Sequence, residues 1–284
     1  MLRRLSLYAS FVRFGHSVFA LPFALVGALL AARQTPLTLA RVGWIIAAMV
    51  TARTAAMGFN RLVDARFDAL NPRTANRELP RGALSTRDAV ALVVVASLGF
   101  VLVTTQLGRL CLWLSPVALG IVFWYSLAKR FTTYTQMFLG LALAVAPVGG
   151  WLAAGGGAGV EPWLLALATG TWVAGFDIFY ACQDLEFDRT QGLNSIPARF
   201  GVRRSLSIAR WLHLATVTAL ASVALVTPLG GWYLAGVAGV ALLLTYEHSL
   251  VRVDDLSRVK QAFDLNGYVG FFYLAATAAA IYVG

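Results

Sequence analysis

The chain has 284 residues, of which 59% are hydrophobic and 13% charged, with a formal net charge of +10 at pH 7. A water-soluble domain carries about a quarter charged residues, so this composition excludes an ordinary soluble fold and fits a polytopic membrane protein. The basic excess does not call for nucleic acid, because the basic residues sit between apolar runs rather than in one patch.

A bilayer-spanning helix needs about 20 mostly apolar residues. Nine stretches qualify: 14–32, 41–60, 88–106, 109–128, 135–154, 162–182, 208–227, 231–249 and 264–283. With the N-terminus inside, 19 of the 23 Lys and Arg fall on the cytoplasmic side and 3 on the other, with Arg53 inside the second span. That asymmetry sets the orientation by the positive-inside rule. The expected fold is an all-α membrane protein, one domain over 1–284, with nine transmembrane helices around a central cavity open to the cytoplasmic side.

Residues 1–13 read as a short amphipathic lead-in. Arg3 and Arg4 before an apolar run have the look of a signal peptide. Its removal would leave eight spans and take away Arg13 and His16, so the run reads as the first span. Arg13 is either an interfacial anchor or a ligand for the carboxylate of a small acidic substrate.

The second span ends in NRLVDARFDALNPRTANRELPRG, from Asn60 to Gly82. Asn60, Asp64 and Asp68 are spaced i, i+4, i+8 and on a helix share an arc of about 80°. Oxygen ligands of this kind suit Mg²⁺, which is commonly held by a few carboxylates plus substrate phosphates. The neighbouring Arg73 and Arg77 add groups that pair with phosphate. The loop that follows is about 20 residues long, and loops of that length tend to be functional or disordered.

The third and fourth spans form a tight hairpin at Gly108-Arg109. The fourth ends with Tyr125 and Lys129, which share a face on an α-helix; Lys129 reads equally as a topogenic residue or a phosphate ligand. Span five carries Pro147 and Gly149-Gly150, which permit a bend or close packing.

Span six contains Asp177, followed by Asp184 and Asp188, and on one continuous helix the three lie within about 40°. An acid inside a span faces a cavity or a partner. Asp177 is read either as a partner of Arg53 or as a ligand in the second acidic cluster or toward an acceptor substrate. The surrounding aromatics read mainly as packing. Cys111 and Cys182 fall inside apolar spans and imply no disulfide. His213 and His248 read as helix residues rather than metal ligands.

Asp64-x-x-Phe-Asp68 is echoed by Asp184-x-x-Phe-Asp188, each followed by Arg-Thr, Asn and Pro. The echo suggests an internal duplication that sets two acidic clusters across one cavity. Metal ions and arginines around a diphosphate would favour loss of that leaving group. In an allylic diphosphate, the resulting cation is open to attack by an electron-rich ring. A dry intramembrane cavity keeps water from it.

These motifs resemble the UbiA family of intramembrane prenyltransferases. The matching residues are Asn60, Asp64 and Asp68; Arg73, Thr74, Arg77 and Gly82; Tyr125 and Lys129; and Asp184 and Asp188. One departure is Arg61, where many members have Asp. The resemblance implies that Asn60, Asp64, Asp68, Asp184 and Asp188 bind Mg²⁺ and that the four aspartates act in catalysis. It also implies Asn60, Arg73, Arg77, Tyr125 and Lys129 as substrate ligands; Asp177 and Arg13 join them as substrate-binding candidates from their own positions in the spans. The implied reaction moves a polyprenyl group from its diphosphate to an aromatic acid of the 4-hydroxybenzoate type in quinone biosynthesis. It takes place in the inner membrane, with the active-site loops cytoplasmic and no nucleic-acid partner. The stretches 180–184 and 194–201 look more like the branch acting in menaquinone synthesis on a dihydroxynaphthoate. Other acceptors served by this fold are haem, chlorophyllide and glycerol phosphate. An ion-coupled transporter using Asp177, Asp184 and Arg53 is the competing class, although both acidic clusters lie at span ends rather than at mid-membrane.

Overall fold

A computed structural model describes residues 2–12 and 19–283. Arg13 and His16 lie outside the described residues. Every regular element among the described residues is helical. The helices are α1 (Leu2–Phe11), α2 (Leu21–Ala31), α3 (Leu39–Leu70), α4 (Thr86–Thr104), α5 (Arg109–Trp124), α6 (Thr135–Ala153), α7 (Glu161–Ala181), α8 (Leu185–Thr190), α9 (Ile196–Val226), α10 (Gly230–Leu250) and α11 (Val259–Tyr282). A 3₁₀ helix, Tyr125–Arg130, continues α5, and a second, Cys182–Asp184, joins α7 to α8.

Seven of the nine expected spans coincide with helices long and apolar enough to cross a membrane. The other two expectations fall on α2, which has 11 residues, and on α10, which has 21. The expected first span begins inside the segment that is not described. In α10, several glycines together with Glu247 and His248 dilute the apolar character.

The outer faces are strongly apolar. Trp113 is 79% exposed and Leu225 86%, so these surfaces require lipid rather than water. Inside, Phe23, Trp172, Tyr233 and Tyr273 are fully buried in one large cluster.

Lipid gives helices little hydrophobic reason to associate, so close backbone packing and polar bonds hold them together. A Cβ on Gly27 of α2 would run into the Pro147 carbonyl of α6, and one on Gly150 of α6 into the Ala24 carbonyl of α2. Gly140 of α6 meets the Gly170 carbonyl of α7 in the same way. Polar threads stitch the other side. Trp172 donates to Asn266 (2.6 Å), which donates to Glu247 (2.8 Å). The Tyr233 hydroxyl donates to the Leu220 carbonyl (2.9 Å) and meets the Tyr273 hydroxyl at 2.6 Å. Tyr233→Phe is expected to lower stability by about 1 kcal/mol. Unfolding in detergent checks this; an unchanged transition would mean the bond contributes nothing net.

Gly201 interrupts α9 with φ 74°, a left-handed conformation that glycine adopts without strain. The break sets a short helical turn, residues 196–200, apart from the long membrane helix that follows it.

Candidate active site

The first motif forms because α3 continues as helix ten residues past Asn60, to Leu70. Asn60, Asp64 and Asp68 therefore share the face expected from their spacing, and all three line one cavity. Beyond α3 the chain is held in turns. The Asn71 side-chain oxygen accepts from the Arg73 N–H (2.9 Å), and the Thr74 hydroxyl donates to the Asp68 carbonyl (3.0 Å).

The second motif is built differently from the expected single helix. α7 stops at Ala181, and a 3₁₀ turn carries Asp184 before α8 carries Asp188. The tighter 3₁₀ winding means that the arc calculated for a continuous α-helix does not apply. Asp177, Asp184 and Asp188 nevertheless all line the same cavity as the first motif. A similar correction applies to Tyr125 and Lys129. They lie in a 3₁₀ helix, so four residues do not bring them onto one face, yet both line the cavity.

The cavity has a volume of about 710 Å³, within the range of small-molecule sites. Its wall on α3 extends from Ile45 to Asp68, about 35 Å along the helix axis and comparable to the hydrocarbon thickness of a bilayer. One end is rich in acids and bases. The rest is walled mainly by apolar side chains such as Leu114, Ile121, Leu141 and Val145.

At the polar end each acid has partners. Asp64 accepts from Lys129 Nζ (2.7 Å), from Arg130 Nη2 (3.1 Å) and, weakly, from Asn60 Nδ2 (3.4 Å). Asp68 receives both contacts of Arg77 Nη1 (2.7 and 2.8 Å), with Arg61 at 3.9 Å. Arg61 also donates from Nε to the Phe11 carbonyl (3.3 Å), tying α1 to this end. Asp188 accepts from the Ser195 hydroxyl (2.8 Å), the residue whose side chain also caps α9.

Arg73 makes the cross-motif link. It donates through Nε to Asp184 Oδ1 (2.9 Å), through Nη2 to Asp184 Oδ2, and through Nη1 to the Tyr180 hydroxyl (2.9 Å). Its guanidinium lies 5.1 Å from the Tyr180 ring centroid. Burial works against the charge on Arg73, but the hydrogen bond and charge of Asp184 outweigh it and hold the guanidinium pKa above its ordinary value. Asn71 also donates to Asp184 Oδ1 (3.0 Å). Arg189, the apparent counterpart of Arg73 in the second motif, instead donates to the Ala198 carbonyl (2.9 Å). The two motifs are alike in sequence but not in wiring.

Thus every expected site residue among those described lines one hollow: Asn60, Asp64, Asp68, Arg73, Arg77, Tyr125, Lys129, Asp177, Asp184 and Asp188. Sequence reasoning gave no site role to Arg130 or Asn71 and read Tyr180 among the aromatics around the second motif, mainly as packing; all three bond to the acids or to Arg73. Adjacency to Lys129 was the available signal for Arg130. For Asn71 it was the step just past the helix end, where Asn commonly closes a turn. The suggested Asp177–Arg53 pair does not form within 4.0 Å among the described residues.

The donor set fits Mg²⁺. It is composed of hard oxygen ligands, and no three acids converge into a closed metal cage among the described residues. Mg²⁺ is typically bound by one or two carboxylates plus substrate phosphates rather than by such a cage.

The model of the UbiA prenyltransferase family matches residues 20–276. The chain is 34% identical over 230 residues to a 4-hydroxybenzoate octaprenyltransferase of Edwardsiella ictaluri (strain 93-146), covering 81% of this chain and 79% of the relative. It is also 34% identical over 219 residues to one of Aeromonas salmonicida (strain A449), covering 77% and 75%. Among solved structures, the apo form of a UbiA homolog from Aeropyrum pernix K1 superposes with TM-score 0.85 at 37% identity, covering 93% of this chain and 98% of that one. A UbiA homolog from Archaeoglobus fulgidus bound to GPP and Mg²⁺ shares the fold with TM-score 0.73 at 19% identity, covering 97% and 99%. With matches this broad in both sequence and fold, the chain belongs to the UbiA prenyltransferase family and is a prenyltransferase.

Proposed function

We propose that the protein transfers a polyprenyl group from its diphosphate to an aromatic acid of the 4-hydroxybenzoate type, for quinone biosynthesis, and that the reaction depends on Mg²⁺. The observation that carries this reading is that both acidic motifs face one hollow and are bridged across it by Arg73 and Asp184. The names of the sequence relatives and the GPP- and Mg²⁺-bound homolog support the choice of substrates and metal.

Asn60, Asp64, Asp68, Asp184 and Asp188 would hold the metal, which would supply positive charge to neutralise the diphosphate as a leaving group. Arg73, Arg77, Lys129 and Arg130 exchange carboxylate contacts for diphosphate oxygens and stabilise the negative charge that grows as the allylic carbon–oxygen bond breaks. The apolar wall keeps water from the allylic cation and accommodates the chain. The electron-rich ring attacks that cation, and the ring proton then leaves.

In this reading nine spans cross the inner membrane, with α2 and α10 completing the seven. The N-terminus and the polar end of the cavity face the cytoplasm, as the distribution of basic residues supports.

The test supplies purified protein with Mg²⁺, a labelled prenyl diphosphate and a panel of aromatic acids, and identifies the product by mass. The expected product is the prenylated acid. Excess chelator is expected to abolish its formation, and added Mg²⁺ to restore it. Undiminished transfer in chelator would refute the metal requirement, and no transfer to any acid would refute the acceptor class.

A further inference from the structure

We propose that the outward face of α9, at the polar end of the bundle, binds the phosphate headgroup of an anionic phospholipid. The site lies outside the cavity and does not depend on which acceptor the enzyme uses.

α9 starts directly after Ser195, which bonds to Asp188, so its first turns stand at the polar end of the cavity. Past the break at Gly201, the exposed residues of its next three turns are Arg203, Arg204, Ser207, Arg210, Trp211 and Leu214. They fall within an arc of about 120°, while Ser205, Leu206, Ala209 and His213 turn inward and are buried. Arg203 and Arg210, seven residues apart, form one column. Arg204 and Trp211 form a second beside it, with Ser207 between the two. The panel from Arg203 to Trp211 is about 12 Å tall.

Three guanidiniums share this face without a counter-charge. Among the described residues, the side chains of Arg203, Arg204 and Arg210 make no ion pair or hydrogen bond, and the Ser207 hydroxyl has no partner. Arg210 has His248 as an electrostatic neighbour, which supplies no negative charge. Like charges on one helix face repel, and a phosphate placed among them removes the repulsion. The connector before α11 is built the other way: Arg252 faces Asp254 at 3.8 Å and Lys260 faces Asp264 at 3.1 Å.

The order of residues along the axis matches a lipid. Arginines extend to headgroup level and pair with phosphate oxygens. Trp211, 69% exposed, suits the boundary between headgroups and hydrocarbon. Leu214, 53% exposed, begins the apolar track on which an acyl chain lies. A soluble anion would use the arginines and gain nothing from the tryptophan and leucine beneath them. A zwitterionic headgroup would bring its own ammonium against the three guanidiniums, so the face selects lipids of net negative charge.

Native mass spectrometry of the full chain in detergent, titrated with phosphatidylglycerol and with phosphatidylcholine, tests this. Wild type is expected to hold phosphatidylglycerol more tightly, with an affinity that falls as salt is raised. Arg203→Gln, Arg204→Gln and Arg210→Gln together are expected to weaken that site on the order of 100-fold. Phosphatidylcholine binding and prenyl transfer in detergent are expected to stay essentially unchanged. Arg210→Gln alone is expected to weaken the site about fivefold, and it serves if the triple variant does not fold. Arg252→Gln with Lys260→Gln removes two cations from the same end of the bundle and is expected to leave the site intact. A wild type without preference for phosphatidylglycerol overturns the proposal, as does a triple variant that keeps the preference. An equal loss in the connector variant marks general charge attraction and also overturns it. Glycerol phosphate carries the headgroup phosphate without acyl chains and is expected not to displace the lipid at equal concentration. Displacement would identify a soluble-anion site and overturn the lipid assignment.

Discussion

Asp64→Asn is expected to reduce prenyl transfer by about 10²–10³-fold or more while the protein still inserts and folds. The substitution keeps the shape of the side chain and removes the charge that Lys129 and Arg130 share. Removing one partner of a deeply buried ion pair costs about 3–5 kcal/mol. Here the cost is smaller, because the Lys129 and Arg130 side chains are 25% and 30% exposed and retain contact with water. Asp184→Asn is expected to have a comparable effect from the opposite wall, since it unhooks Arg73 and Asn71 together. On the proposed function the two motifs act on one diphosphate, so the double variant is expected to be little worse than either single one. Product formation and gel-filtration profiles in detergent check both statements. Asp255→Asn, in the exposed connector before α11, is the control. Near-normal transfer by either motif variant would remove that motif from the chemistry.

The second large effect concerns architecture. Gly150→Ala is expected to destabilise the bundle by about 1–3 kcal/mol or more, because its new Cβ meets the rigid Ala24 carbonyl of α2. The adjacent Gly149→Ala is expected to be neutral or stabilising by up to about 1 kcal/mol, since a Cβ there has nothing within 4 Å. Two neighbouring glycines in one helix thus respond with opposite signs. Apparent melting temperatures in detergent decide it, and equal values for the two variants would contradict the close approach of α2 and α6.

Much of this was legible in the sequence because its signals are local. Apolar runs marked the helices, and four-residue spacing placed Asn60, Asp64 and Asp68 on one face of α3. Repetition of Asp-x-x-Phe-Asp identified the second acidic motif, and both motifs do meet at one cavity. The illegible part depended on tertiary contacts and on local departures from ideal helix. Nothing local announces that α7 gives way to a 3₁₀ turn at Cys182, or that Tyr125 and Lys129 lie in another. The partner of Asp184 is 111 residues away in Arg73, and the matching Arg-Thr after the second motif suggested a symmetry that Arg189 does not keep. The Arg53–Asp177 pair was plausible from burial alone, but pairing is set by distance across the hollow, which no single helix encodes.

The polar end has a further consequence for the order of events. Three carboxylates there, Asp64, Asp68 and Asp184, are paired with five cations, Arg61, Arg73, Arg77, Lys129 and Arg130, and Asp188 adds a fourth negative group held by the Ser195 hydroxyl. An almost self-neutral mouth offers little attraction to a bare divalent ion and little repulsion to a polyanion. On the proposed function, recruitment of metal and donor would then be concerted: incoming phosphates would draw the lysine and arginines away from the acids and free the carboxylates that would hold the ion, so the catalytic charge arrangement would be assembled only when there is something to cleave.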